Sequence, residues 1–206
     1  MQGDGCVTLT PREPKPSSVP ATAKQGGEVW DRWSWVEPAA WTERMLTALE
    51  EGVKGGVWFS LIDKVWTERN LRCSYSKVAA NDGASGVDYV TVEAFEQNLD
   101  ANMASTSRAL REGMYQPSAI RRTYIAKPGS TEQRPLGIPT VRDRVVQGAV
   151  RHVMEPIFEK EFATHSYGFR PGRGCKDALR RVDQLLKSGC VHVVDVDLKS
   201  YLDHAS

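Results

Sequence analysis

The sequence predicts an α+β fold in which helices come first along the chain and strands come later. Apolar residues recur at helical spacing through most of residues 38–112. Residues 119–138 alternate and turn as a β-hairpin does, and Val191–Leu198 has the composition of a further strand. A length of 206 residues with 40% apolar content suits one domain or two small ones with a real core.

Residues 1–36 are predicted to form a disordered N-terminal tail. Four prolines lie between residues 11 and 20, among Ser, Thr, Lys and Gly. Such a segment buries too little apolar area to offset the entropy of ordering the chain. Three tryptophans close the segment, and the sequence does not indicate where they dock.

Four helices are predicted before the hairpin. The first begins near Pro38 and ends at Gly52, because proline is favoured in a first helical turn and glycine just after a last one. Phe59–Leu71 and a stretch ending at Ala80 are the second and third. Residues 92–112 carry one apolar side and are predicted to be a single longer helix.

The hairpin leads into a second helical region. Residues 119–126 and 134–138 form its strands around a turn at 128–130. Thr140 is placed to cap a helix over residues 141–154, and Asp143 follows at the position of a near capping box. A Gly/Pro/Arg loop at 166–174 precedes a last helix that ends at Gly189.

Charge is distributed unevenly along the chain, although the formal net charge is only +1. Residues 106–181 hold 15 Lys/Arg against 7 Asp/Glu, which leaves 12 against 19 elsewhere. A localised basic surface suits a polyanion such as nucleic acid, although charge alone leaves a merely solvated surface equally open. No apolar run of about 18 residues predicts a membrane span. The four cysteines are scattered and no signal peptide is evident, which favours the cytoplasm.

The last predicted strand carries two acids that would share one face. Asp195 and Asp197 are two residues apart, so their side chains point to the same side of a strand. Two carboxylates on one strand face are costly unless a cation meets them, and Mg²⁺ prefers such oxygen ligands. Acids at a solvent-facing strand end are the alternative. The basic segment upstream favours metal-assisted phosphoryl or nucleotidyl transfer.

Several segments, in a fixed order along the chain, resemble the motifs of group II intron reverse transcriptases. They are Ala84–Asp88, Tyr115–Pro117, Ile120–Arg122, Lys127–Pro128, Arg134–Arg144, Ser166–Arg173 and Val193–Asp203. The resemblance implies the fingers and a truncated palm of a right-hand polymerase. Residues 37–190 would then be the fingers region and residues 191–206 the start of the palm.

The resemblance also implies roles at the nucleotide site. Asp197 would be the catalytic metal ligand for Mg²⁺, with Asp195 in a supporting role and the backbone carbonyl of Leu198 completing the metal site. Lys127 and Arg134 would bind the triphosphate of the incoming nucleotide, since a point charge and a planar fork both suit phosphate oxygens.

Contacts to RNA are expected from three arginines. Arg142 lies at a helix start along the template in this family, and Arg170 and Arg173 lie in the 166–174 loop. Each could instead be an ordinary surface charge. Tyr167 and Phe169 in the same loop suit base stacking, but we interpret them as packing anchors.

The sequence departs from the family at three points. Leu202 stands where an aromatic residue normally packs under the nucleotide sugar, and Tyr89 stands where glycine normally accommodates a strained backbone. The chain contains no Asp-Asp pair, which the second catalytic motif of the family requires, and it ends at Ser206. We therefore expect a fragment, a truncated or decayed gene copy, without polymerase activity by itself.

The partners implied by the resemblance are an intron RNA template, a DNA primer and dNTP, all in the complete enzyme. A non-catalytic module that binds intron RNA is the main alternative. A retron or diversity-generating reverse transcriptase is a second, although the Leu136–Thr140 run favours the intron type. Complementation by a separate chain that carries the missing motifs is a third.

Overall fold

The structure is a computed structural model that describes residues 27–53, 56–58, 60–126, 129, 131 and 133–197. Contacts divide the chain into two compact units, unit 1 (Met1–Lys160) and unit 2 (Glu161–Ser206), which are described separately. The helices are α1 (Gly27–Arg32), α2 (Glu43–Glu51), α3 (Ile62–Val65), α4 (Glu68–Asn81), α5 (Val92–Glu96), α6 (Leu99–Arg111), α7 (Val141–Glu161) and α8 (Cys175–Lys187). The strands are β1 (Arg121–Ala126) and β2 (Gln133–Ile138). The prediction of an α+β fold is confirmed.

The boundary of the predicted tail at residue 36 is wrong for the part that the structure describes. Residues 27–32 form α1, and Val29 and Val36 are buried in the core of unit 1. Trp33 donates its indole N–H to Glu50, 2.8 Å away, and Arg32 forms an ion pair with the same carboxylate. Tryptophans and valines supply apolar area that the proline-rich stretch lacks, so this segment can pack. Residues 1–26 lie outside the described residues.

Two of the predicted helices are interrupted. The expected helices over 59–71 and up to 80 are instead α3 and α4, which are separated by Trp66 and Thr67. The expected helix over 92–112 is broken at Gln97 and Asn98 into α5 and α6. Threonine marks several starts, because its hydroxyl accepts the N–H of the third helical residue at α2, α4 and α5.

Helix α7 is the longest described helix, and a proline inside it leaves one backbone carbonyl without its helical donor. Pro156 lies inside it and has no N–H to donate to the carbonyl of His152 one turn earlier. The indole N–H of Trp41 donates to that carbonyl instead, over 3.0 Å. Trp41 is 1% exposed, so a single buried side chain both fills the core and satisfies the gap in the helix.

Helix α4 packs closely along α7 through short polar side chains. Ser74 donates to the carbonyl of Val145 over 2.7 Å, and the amide of Asn70 donates to that of Ala149 over 3.1 Å. Gly148 makes this approach possible, since a Cβ there would collide with the Ser74 hydroxyl. The sequence placed α7 correctly, but nothing in its periodicity marks Gly148 as a contact point.

Unit 2 contains α8 and the segment 191–197, which has no regular secondary structure. The predicted strand over Val191–Leu198 is not formed in the described residues 191–197, and Leu198 lies outside them. A strand requires a hydrogen-bonded neighbour, and the described sheet contains β1 and β2 alone. The predicted division at residue 190 between fingers and palm stays a prediction, because compactness does not identify either.

Candidate nucleic-acid interface

The predicted hairpin is present and presents cations to solvent. Its strands run antiparallel, with Arg122 opposite Gly137 and Arg134 opposite Ile125. Both arginines are exposed. Lys127, the other expected triphosphate ligand, lies outside the described residues, as do Leu198 and Leu202. The structure therefore places one of the two expected phosphate ligands, on an open strand.

Asp143 fixes the chain that enters this hairpin to the start of α7. It is only 4% exposed, and its carboxylate accepts hydrogen bonds from the Thr140 hydroxyl at 2.6 Å and the Ser118 backbone N–H at 3.1 Å. The Tyr115 hydroxyl donates to the other carboxylate oxygen. A buried carboxylate with three donors is well compensated, so this cluster holds residues 115–118 against the helix.

The same cluster shifts two pKa values. Burial acts to raise the pKa of Asp143, but hydrogen bonds from Thr140, Tyr115 and Ser118 together outweigh it and lower that pKa below its ordinary value. Burial, and then the hydrogen bond to the Asp143 carboxylate, raises the pKa of Tyr115. Both effects keep Asp143 charged and Tyr115 protonated, which preserves the contact at neutral pH.

Arg142, an expected RNA contact, lies beside this cluster. Its Nε donates to the Thr106 hydroxyl over 3.1 Å, and its guanidinium carbon is 5.3 Å from the centre of the Tyr115 ring. Arg142 is half-buried, and its guanidinium has four further N–H donors. The side chain is thus oriented by its neighbours at the start of α7.

The loop over residues 162–174 in unit 2 is braced by its own arginines. Arg170 is 8% exposed and donates to the carbonyls of Ala163 and Ser166, with its guanidinium 5.2 Å from the Phe162 ring. Arg173 donates to the carbonyl of Ser166 as well, and it is half-buried. The RNA contact expected of Arg170 stays a prediction, and in this structure its Nη1 atom donates to the loop backbone.

The aromatic residues of this loop behave differently from one another. Arg173 lies 5.8 Å from the centre of the half-buried Tyr167 ring, so the packing role predicted for Tyr167 fits. Phe169 is 105% exposed and has a φ of +56°. The packing role predicted for Phe169 is therefore wrong within unit 2, since nothing there covers its ring in the described structure.

The acids expected to hold a metal are accessible but not clustered. Asp195 and Asp197 lie in the segment 191–197, which has no regular secondary structure, and both are exposed. Within the part of the chain that the structure describes, no three His, Cys, Asp or Glu side chains come together as a metal site would require. Their carboxylate oxygens are the donor type that a divalent metal takes, so the chemistry fits even though a full ligand set is not assembled.

Sequence reasoning missed the buried hydrogen bond between Tyr115 and Asp143. It assigned Asp143 to helix capping and gave Tyr115 no role of its own, whereas the two make the buried contact described above. A signal was present, because Asp143 lies three residues after a capping threonine and is flanked by two arginines. The partner lies 28 residues earlier in the chain, and no local pattern could supply it.

Comparisons with known proteins agree on one family. Residues 125–205 match the model described as reverse transcriptase (RNA-dependent DNA polymerase). The chain is 37% identical over 133 residues to the group II intron-encoded protein LtrA of Lactococcus lactis subsp. cremoris, covering 64% of this chain and 22% of that protein. It is 35% identical over 175 residues to protein YkfC of Escherichia coli (strain K12), covering 83% of this chain and 42% of that protein.

Another relative is also named for an intron. Nuclear intron maturase 1 of Arabidopsis thaliana, a mitochondrial protein, is 35% identical over 66 residues, which is 32% of this chain and 9% of that protein. The chain thus spans less than half the length of each of these relatives.

None of the helices in the described ranges combines the length and apolar character needed to cross a bilayer.

Proposed function

We infer that this chain belongs with the reverse transcriptases that group II introns encode, and we propose that it forms the fingers and the first palm segment of an RNA-directed DNA polymerase. The fingers would span residues 37–190 and the palm would begin at residue 191. The observation that carries the proposal is the exposed basic hairpin, which holds Arg122 and Arg134 within or beside the residues that match the family.

In this proposal the hairpin binds the triphosphate of the incoming nucleotide. Arg134 is exposed on β2 and offers the planar fork that phosphate oxygens take in pairs. Lys127 would add a point charge from the hairpin turn. The cluster around Asp143 would keep the base of the hairpin in one orientation on α7, so that both cations meet the phosphates with little further ordering.

In this proposal Asp195 and Asp197 would bind the metal ion. Asp197 would be the catalytic ligand for Mg²⁺, Asp195 a supporting acid and the Leu198 carbonyl a third oxygen, and Leu202 would lie near the nucleotide sugar. Bound Mg²⁺ supplies charge neutralisation on the triphosphate during nucleotidyl transfer. Two-metal transfer needs several carboxylates, and this chain has no Asp-Asp pair to complement Asp197.

RNA would bind along the basic part of the chain. Arg142 has N–H donors beyond the one engaged by Thr106, and Arg173 borders the same loop as the exposed Phe169 ring. Arg170, which braces that loop, would add a further contact to RNA phosphates. The partners of the complete enzyme would be intron RNA as template, a DNA primer and dNTP, in the cytoplasm that the scattered cysteines favour.

RNA binding tests the proposed template contacts directly. Affinity for single-stranded RNA should fall with rising salt, because phosphate contacts release counterions. Arg142→Gln should reduce the log–log salt slope by about 0.7, the value for one phosphate contact on a single strand. Arg72→Gln is the matched control, since Arg72 is an exposed arginine of α4 that pairs with Asp100. A flat salt response in the unaltered chain would contradict the proposal.

Primer extension tests the chemistry. We expect the 206-residue chain to add no nucleotide to a DNA primer on an RNA template with Mg²⁺, since Asp197 alone cannot hold two ions. Incorporation that Asp197→Asn abolishes would contradict this expectation. Incorporation unaffected by that substitution would point to a contaminating polymerase.

A non-catalytic RNA-binding module is the second candidate. It is favoured by the segment 191–197, where Asp195 and Asp197 are exposed and no third ligand lies near them among the described residues. Mn²⁺ can replace Mg²⁺ and broadens nuclear resonances of its ligands. Selective broadening at Asp195 and Asp197 that Asp197→Asn removes would favour a polymerase segment with a metal site. Uniform weak broadening would favour the non-catalytic RNA-binding module.

A further inference from the structure

We propose that Tyr89 and Arg121 form a stacking site for an unpaired base of single-stranded RNA. This inference rests on the proposed function, since it names residues through which the chain would hold RNA. It concerns a position at which this sequence carries tyrosine in place of the glycine that its family normally has.

The backbone of Tyr89 is held in a strained conformation. Its φ is +58°, in the left-handed region that bulky side chains rarely adopt. Such strain persists where the surrounding structure enforces it, and it is concentrated at functional sites. The departure expected from the sequence is thus present, because a tyrosine occupies a conformation that glycine adopts at no steric cost.

The loop that carries Tyr89 is fixed against the start of α7. Gly86 is buried there, and a Cβ on it would lie 2.6 Å from the Thr140 Cα atom. Arg144 donates to the Ala84 carbonyl over 3.0 Å, and the Tyr89 N–H donates to the Gly86 carbonyl over 3.3 Å. The ring therefore projects from a firm support, which lowers the ordering cost of binding.

The ring itself has little to gain from packing within unit 1. Tyr89 is 73% exposed, although an aromatic side chain is normally covered. Its described contact is with Arg121, whose guanidinium carbon lies 5.8 Å from the ring centre. A strained, exposed aromatic residue stabilised by a cation is difficult to explain by folding and is typical of a binding surface.

The charge around the ring favours nucleic acid over other ligands. Arg121 begins β1, and the exposed Arg122 that follows it points to the opposite face of the strand, so Arg121 is the cation described beside the ring. Asp88 precedes Tyr89, but its carboxylate accepts the backbone N–H of Val90 and so is turned toward its own loop. An aromatic face beside arginines is how proteins hold unpaired bases, because every base has a face that can stack.

The test measures binding of the 206-residue chain to a short adenine-rich single-stranded RNA. Tyr89→Gly should weaken binding about tenfold, the usual loss for one stacked base, with an unchanged salt slope because tyrosine carries no charge. Tyr89→Phe should bind like the unaltered chain. Arg121→Gln should weaken binding and also lower the salt slope by about 0.7.

Ser60→Gly is the matched control. Ser60 also has a positive φ, +61°, so the substitution relieves the same kind of backbone strain without removing a ring. Both glycine variants should melt at or above the temperature of the unaltered chain, but Ser60→Gly should leave RNA affinity unchanged.

The outcomes separate this inference from the proposed function. If the unaltered chain binds RNA and Tyr89→Gly binds equally well, the stacking site is wrong while the proposed function stands. Equal losses in Tyr89→Phe and Tyr89→Gly would also overturn stacking, because phenylalanine keeps the ring face. If the unaltered chain shows no salt-dependent RNA binding, the proposed function fails and the inference fails with it.

Discussion

Helices α7 and α8 both carry apolar residues at helical spacing, and α8 is the more amphipathic of the two, but their surroundings are opposite. Helix α7 buries eight residues, among them Val145, Ala149 and Val153, and receives hydrogen bonds from side chains of α4 and from Trp41. Helix α8 buries none, and Leu179 is 67% and Leu186 52% exposed. An apolar stripe predicts a helix and the side that would be covered, but it does not predict that a cover is present.

The stability of α8 must therefore come mainly from within itself. Its acids and bases pair locally, as Arg180 does with Asp177 and Lys187 with Asp183. Such exposed pairs contribute only about 0.2–0.5 kcal/mol each. A helix of 13 residues is marginal without tertiary packing, so α8 should open far more readily than α7.

Hydrogen exchange should show the largest difference between the two regions. Amides in the middle of α7 should open only with global unfolding, about 5–15 kcal/mol, whereas those of α8 and residues 191–197 should exchange near the unprotected rate. The measurement is exchange detected by mass spectrometry on peptides 141–153 and 179–197. Stronger protection of residues 191–197 than of α7 would show that the backbone amides of residues 191–197 are hydrogen-bonded in solution.

A matched pair of leucine substitutions sharpens the comparison at the level of single side chains. Leu71→Ala should destabilise the chain by about 2–5 kcal/mol, because Leu71 is fully buried in α4. Leu179→Ala should change stability by less than about 0.5 kcal/mol, since most of its surface already meets water. Chemical denaturation of both variants measures the two costs. A cost above 2 kcal/mol for Leu179→Ala would mean that α8 is covered.

Local sequence signals predicted much of the fold, and long-range contacts account for what they missed. The hairpin and α7 were found because alternation, turn residues and Thr140 all agree. The break at Asn98 was missed because apolar residues continue at helical spacing on both sides of it. The packing of residues 27–36 was missed because the prediction of a disordered tail rested on proline content. Trp33 of this segment contacts Glu50 in α2, and no local pattern indicates that contact.

The candidate site was predictable in residue type but not in surroundings. Motif order assigned roles to Arg134, Arg142 and Asp197 from the chain alone, and these roles stay predictions. It could not show that Arg170 turns inward to the carbonyls of Ala163 and Ser166, because arginine in a basic loop looks the same whether it braces the loop or binds phosphate. That choice depends on backbone geometry, which charge patterns do not encode.

Two acids at the same position of the two helices give a smaller contrast. Asp143 and Asp177 are each the third residue of their helix, α7 and α8. Asp143→Asn should cost about 1–3 kcal/mol, because its buried partners lose a charged acceptor. Asp177→Asn should cost less than about 1 kcal/mol, as expected for an exposed helix-terminal charge. Urea denaturation at neutral pH measures both, and equal costs would contradict the burial of the Asp143 cluster.

The pH dependence of stability should be the smallest effect, and it concerns the middle of α7. His152 is 6% exposed; its Nδ1 lies 2.7 Å from the side-chain amide oxygen Oδ1 of Asn70, and its Nε2 accepts from the Lys77 ammonium over 2.8 Å. Burial and the charge of Lys77 lower the pKa of His152 below its ordinary 6.5, against the opposing charges of Glu37 and Glu155.

A lowered pKa in the folded state means that folding favours the neutral ring. The stability that this provides is complete above pH 6.5, the ordinary value, and is lost as the pH falls from there through the lower folded pKa. Protonation would also leave Nε2 unable to accept from Lys77. Melting curves between pH 7.5 and 5 should show a falling Tm, and His152→Gln should flatten that fall because glutamine does not titrate. An equal fall in His152→Gln would remove the buried network of α7 as the cause of the pH dependence.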